Sequence, residues 1–175
     1  FFECVNDFTV AAPLLDTAAA WVRERGLDTL RGPMSFSTND ECGLLVDGFD
    51  SPPVFMMTYN PRYYVGLVEG GGFRKAKDLY AYDFDLANTP MSRFERIWSK
   101  FQKREPHIRV EPVRKKTLER QLAQIQRVYN EAWEKNWGFV PMTDAEIQFM
   151  AARLKPLLTE GLTQIALDGD RPVGF

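Results

Sequence analysis

Two sets of side chains in this chain have types and neighbours suited to moving protons. Asp40 and Glu41 are adjacent carboxylates inside Pro33 to Pro53, a long segment rich in Gly, Asp, Asn and Ser, where either could accept a proton directly or through water. Tyr63 and Tyr64 open a short amphipathic stretch that ends in Gly70-Gly71-Gly72, and a phenol near a developing anion can act as a general acid. Each set also has a plainer role. Carboxylates in loops cap and shape turns, and an aromatic at a helix start packs that helix against a sheet.

Other chemistries are set aside by composition. The sequence has one histidine, His107, beside Pro106 in a linker, so a Ser-His-Asp or Cys-His system has little to be built from. Cys4 and Cys42 lack the closely spaced Cys or His partners that zinc requires, and they read as unpaired thiols, with no metal expected. A net charge of −2, from 22 basic and 24 acidic residues in 175, gives no long-range pull toward nucleic acid or an anionic membrane. Neither is expected as a partner. Apolar runs such as Ala18 to Val22 are too short to span a bilayer, and no basic-then-apolar leader opens the chain, so a cytoplasmic protein is expected.

The elements that must position these residues follow from periodicity. Phe1 to Val5 alternates as a strand, and Thr9 to Arg25 reads as a helix with Leu14, Ala18, Trp21 and Val22 on one stripe and Gly26 as its stop. A short strand is expected at Leu30 to Gly32, a buried strand at Val54 to Met57, a helix at Pro61 to Glu69 and a long strand at Phe73 to Phe84. Arg93 to Arg104 places Phe94, Ile97, Trp98 and Phe101 on one face of a basic helix that bridges two halves. Between Lys103 and Arg120 seven basic residues face three acidic ones, and the interruptions by Glu105, Glu111 and Glu119 favour a solvated surface over a phosphate site.

Beyond the linker, Ile108 to Val113 alternates as a strand. Leu118 to Lys135 is a helix with Leu118, Leu122, Ile125, Val128, Tyr129 and Ala132 facing inward. The turn Asn136 to Pro141 carries Trp137 and Phe139, either a hydrophobic lid or a core anchor. Thr143-Asp144-Ala145-Glu146 is a capping-box pattern for a helix to about Lys155, and Thr163 to Phe175 folds back as a hairpin about Asp168-Gly169-Asp170. The expected fold class is α/β: a mixed, mostly antiparallel sheet flanked by helices. The first and last strands read as cut edges, expected to pair with another chain, with missing parts of a parent, or with each other.

The run Tyr59 to Phe84, with its helix, glycine break, Gly72-Phe73 pair and aromatic strand, resembles the closing half of an acetyltransferase of the GNAT superfamily. The strand, helix, helix, hairpin order after Ile108 resembles the opening half of a second such domain. Ser35 to Pro53 and Tyr129 to Glu146 are also similar to strings in a poorly characterised group of bacterial GNAT-like proteins. On this resemblance, residues 1–85 are the closing half of one GNAT-like domain, 86–107 a linker helix and 108–175 the opening half of the next, as in a tandem protein cut through both domains.

The resemblance implies an acyl-CoA-dependent N-acyltransferase that uses acetyl-CoA and a small-molecule amine. The alternative is a non-catalytic module of the same fold that binds a small ligand or a protein. The cofactor diphosphate would face Asn6, Asp7 and Phe8, on the turn Asn6 to Ala11. That turn has no glycine, a carboxylate where phosphates would sit, and Pro13 in the early turns of the following helix. The cradle is therefore expected to be damaged, and this piece inactive by itself. The family's proton-donating tyrosine falls on Val68, which leaves Tyr64, one turn earlier on the same face, as the acid. Asp40 or Glu41 would be the base, and Asn39, Trp137 and Phe139 would border the acceptor pocket.

Overall fold

The computed structural model describes residues 1–159 and 161–175. It divides into two units, Phe1–Ala81 and Tyr82–Phe175. No helix among the described residues is long and apolar enough to cross a membrane.

In the first unit, Asp7 starts helix α1 (Phe8–Glu24) by accepting the Thr9 amide at 2.8 Å and the Thr9 hydroxyl at 2.7 Å through Oδ1. The chain leaves the helix at Gly26, whose φ of +70° is open to glycine without strain. Helix α2 (Tyr64–Gly70) packs against α1 at the glycines that close it. A Cβ on Gly70 would come within 3.0 Å of the Phe8 ring, and one on Gly71 within 2.5 Å of a Leu15 methyl. Because this short helix covers little of α1, only Ala11 and Val22 of α1 are buried; Leu14 and Trp21 are about half exposed, contrary to the stripe expected from periodicity. The Arg25 guanidinium instead lies 3.6 Å from the centre of the Trp21 ring.

Four expected strands of this unit are absent. Phe1 to Val5 is extended but in no sheet, because the Cys4 amide and carbonyl bond to tyrosine hydroxyls instead of to a neighbouring strand. Val54 to Met57 is an exposed turn in which the Met57 amide donates to the Val54 carbonyl at 3.1 Å and Met56 takes φ +63°. Leu30 to Gly32 and Phe73 to Phe84 form no ladder, and Leu79, Tyr80, Tyr82 and Phe84 are exposed. Strand pairing in this unit, among the described residues, is the single bridge between Met34 and Cys42.

The second unit holds helix α3 (Met91–Arg104), strand β1 (Ile108–Pro112), helices α4 (Leu118–Trp133) and α5 (Asp144–Leu154), and strands β2 (Gln164–Asp168) and β3 (Arg171–Gly174). The three strands form one antiparallel sheet in the order β1-β2-β3, with Val110 opposite Ala166 and a bulge between Ala166 and Leu167. The protein is thus mixed α/β, with a small antiparallel sheet and helices. Arg171 to Phe175, expected as the second strand of the closing hairpin, is β3 and pairs with β2.

Val113, Leu118, Ile165 and Leu167 form the core of this unit, extended by Leu122, Ile125, Ala151 and Leu158. Ala132, expected to face inward, is exposed, and Gln121 is buried with its Oε1 accepting the Thr117 hydroxyl at 2.7 Å. α5 opens with the expected capping box between Thr143 and Glu146. The connection before it is fixed by Asn130, whose Oδ1 accepts the Met142 amide at 2.8 Å while its Nδ2 donates to the Met142 carbonyl at 3.1 Å.

Candidate functional site

Tyr64 is 3% exposed at the start of α2, with its ring edge-on to Phe2 and Tyr63 at centroid separations of 5.1 and 5.2 Å. Its hydroxyl donates to Glu3 Oε2 at 2.7 Å and accepts the Cys4 amide at 3.1 Å. The neighbouring Tyr63 hydroxyl donates to the Cys4 carbonyl at 2.9 Å. Two tyrosines from one helix start therefore hold an extended segment that would otherwise need a strand beside it. Burial pushes the Tyr64 phenol above its ordinary pKa, and the Glu3 carboxylate adds to the shift while the Cys4 amide opposes it. The phenol accordingly keeps its proton at neutral pH.

Tyr64 lines a cleft of about 130 Å³ with Phe2, Glu3, Ser35, Glu41 and Asn60 among its walls. Glu41 is brought there by the bridge of Met34 with Cys42: the Ser35 amide donates to the Glu41 carbonyl at 2.8 Å, and the Gly43 amide to the Pro33 carbonyl at 2.9 Å. These main-chain bonds leave the Glu41 side chain exposed. Asn60 fixes the far side of the loop. It is buried, accepts the Leu45 amide at 2.7 Å, and donates to the carbonyls of Leu45 and Pro61 at 3.3 and 3.0 Å. Glu3 and Glu41 thus line a common opening beside a protonated phenol, and no Lys or Arg side chain lines it. Such a cleft favours a cationic group, a protonated amine among them, and offers one group to accept a proton and one to donate it.

The structure brings Glu41 and Tyr64 into one cleft and leaves Asp40 and Asn39 outside its lining. Both belong to a turn begun by Ser37, whose hydroxyl accepts the Asn39 amide at 3.1 Å and whose carbonyl accepts the Asp40 amide at 3.3 Å. Glu3 and Asn60 were not singled out by sequence pattern. The one available signal was a lone carboxylate within Phe1-Phe2-Glu3-Cys4-Val5, a segment otherwise without charge.

Trp137 and Phe139 belong to the second unit, where the Phe139 ring meets Tyr129 at 5.7 Å and Tyr129 stacks on Trp133 at 5.9 Å. Gly138 between them takes φ +72°. Asn6, Asp7 and Phe8 form the entry to α1, where the Thr9 amide is already taken by the Asp7 carboxylate, a bond that holds that carboxyl below its usual range. A diphosphate does not fit this turn, because its charge would meet Asp7 and the capped amide. Cys4 and Cys42 are free thiols, and burial pushes the Cys42 thiol up. Among the described residues no group of His, Cys, Asp or Glu could hold a metal ion.

Two curated proteins are similar over nearly the whole chain. Protein YghO of Escherichia coli is 29% identical over 174 residues, covering 99% of this chain and 44% of that protein. A protein of Caulobacter vibrioides named bacterial ceramide synthase is 32% identical over 167 residues, covering 94% of this chain and 43% of that protein. The chain spans less than half the length of these relatives. No protein-family model and no solved structure matches it.

Proposed function

We propose that this chain is part of an acyltransferase that forms an amide on a long-chain amine, with the cleft between Glu41 and Tyr64 as its proton-transfer site. The observation that carries the reading is the convergence of these two residues, 23 positions apart, on one opening that also holds Glu3. The relative named bacterial ceramide synthase supports the substrate class, since a ceramide is an amide of a long-chain amino alcohol. The order β1, α4, α5, β2, β3 supports a GNAT-like half in the second unit.

In this reading the neutral amine nitrogen attacks the carbonyl carbon of an activated acyl donor, the Glu41 carboxylate takes the proton which that nitrogen sheds as the new C–N bond forms, and the bond to the leaving group breaks. The leaving group takes the Tyr64 proton; the phenolate regains one from solvent and Glu41 returns its own. Glu3, bonded to the Tyr64 hydroxyl, orients the phenol. If the donor is an acyl-CoA, its diphosphate sits elsewhere than Asn6 to Ala11.

The test is to supply the intact protein with an acyl thioester and a long-chain amino alcohol, and to follow the amide by mass spectrometry. Amide formation that falls at least tenfold in Tyr64→Phe supports the reading. A second reading, a non-catalytic binding module, is favoured by one observation: the Tyr64 hydroxyl already has structural partners in Glu3 and Cys4. It predicts that the parent's activity is unchanged in that variant.

A further inference from the structure

We propose that α3 is a docking helix that seats this protein on the surface of an anionic phospholipid bilayer. Over 14 residues, about 21 Å of helix, the sequence separates into two sectors. Met91, Phe94, Ile97, Trp98 and Phe101 share an arc of about 120°, and none is buried: they are 37–56% exposed. Trp98 and Phe101 stack at 5.7 Å within that face.

The adjoining sector carries Arg93, Arg96, Lys100, Lys103 and Arg104, with Glu95 as the one acid in the helix. Among the described residues, Arg93, Arg96, Lys100 and Lys103 have no carboxylate within ion-pair distance, and Arg104 pairs only with the adjacent Glu105. The surplus continues past the helix to Arg114-Lys115-Lys116. From Met91 to Lys116 there are nine Arg and Lys against three Glu, a local excess of six positive charges in a chain whose net charge is −2.

A helix with aromatic and aliphatic side chains on one face, unpaired basic residues along the other and low overall hydrophobicity lies in the plane of a membrane interface. The rings enter the boundary between headgroups and acyl chains, and the Lys and Arg stems run up beside them to place charge among the phosphates. Phe94, Ile97, Trp98 and Phe101 also border, with the cross-strand partners Val110 and Ala166 of β1 and β2, an open groove of about 390 Å³ lined almost wholly by apolar atoms. This groove gives acyl chain ends a place to lodge under the helix.

The experiment is flotation of the intact protein with vesicles of phosphatidylcholine alone and with added phosphatidylglycerol. Binding is expected with the anionic vesicles, weak on neutral ones, and reduced by salt. Reversing charge in the pair Lys100→Glu and Lys103→Glu should weaken binding at least tenfold, and Ile97→Glu should do the same by opposing insertion. Trp98 should shift to bluer emission on vesicle addition, and the shift should vanish in Trp98→Phe while binding persists. The proposal is overturned if anionic vesicles capture no protein, if neutral vesicles capture it equally, or if Ile97→Glu floats as well as wild type. It is likewise overturned if Trp98 emission is already blue and unmoved by vesicles, the result expected when a protein surface covers α3. All these substitutions are on exposed positions, and unchanged circular dichroism identifies variants that keep the fold.

Discussion

The two units hold their segments together by different means. Tyr82–Phe175 is organised by a shared apolar core, in which strand β2, helices α4 and α5 and the residue that follows β1, Val113, contribute side chains to one cluster. Phe1–Ala81 is organised by point contacts from polar side chains: Tyr63 and Tyr64 to the backbone of Cys4, Asn60 to Leu45 and Pro61, Asp7 to Thr9. A core excludes water but offers few polar groups for chemistry. A loop region tied by specific bonds can present carboxylates to solvent beside a buried phenol while holding them in place. The candidate site lies in the second kind of architecture.

The contrast can be broken most forcefully in the core. Ile165→Ala removes a side chain that is 1% exposed and should cost about 2–5 kcal/mol, read as a lower denaturant midpoint. A loss under about 1 kcal/mol would mean that the core of the second unit is not packed as described. Asn60→Ala removes three bonds at once and leaves the Leu45 amide without its partner. It should cost about 1–3 kcal/mol and speed amide exchange at Leu45, with far less effect on the second unit's core amides.

Legibility divided along the same line. In the second unit, every element expected from periodicity is present to within a few residues; apart from α3, which buries no residue, their patterns express burial against one core. The exception, Ala132, is near the end of α4, where the core no longer covers the helix. In the first unit the helices expected at Thr9 to Arg25 and Pro61 to Glu69 are present as α1 and α2, but strand alternation misled. Alternation at Phe73 to Phe84 and Phe1 to Val5 specifies a strand only when another strand accepts its ladder, and in the second case tyrosine hydroxyls took those bonds. Glu41 and Tyr64 were legible by type, but their meeting depended on the bridge of Met34 with Cys42 and on the Asn60 clamp, which leave no periodic trace. The basic helix with one apolar face at Arg93 to Arg104 was legible from spacing, although net charge averages its local surplus against acids elsewhere.

Smaller effects sharpen the comparison. Thr143→Ala opens the capping box of α5 and should cost about 1 kcal/mol, seen as a lower thermal midpoint. Both units should lose stability in acid through their helix starts. Hydrogen bonds hold the Asp7 and Glu146 carboxyls below their ordinary values of 3.8 and 4.5, so the folded state favours the ionised forms. Their contribution is present above those values and is lost as pH falls through the lower, folded ones. Melting curves should show a smaller drop between pH 5 and pH 3 (about one decade either side of the unfolded values) in Asp7→Asn than in wild type; an identical drop would contradict the assignment.

The most direct test of the central claim, that the cleft of the first unit moves protons, is the turnover of Glu41→Gln in the intact protein, with the thermal midpoint taken on the same sample. Because Glu41 is exposed and its backbone bonds do not depend on its side chain, the fold should be kept while turnover falls about a hundredfold or more. Wild-type turnover in that variant would contradict the account.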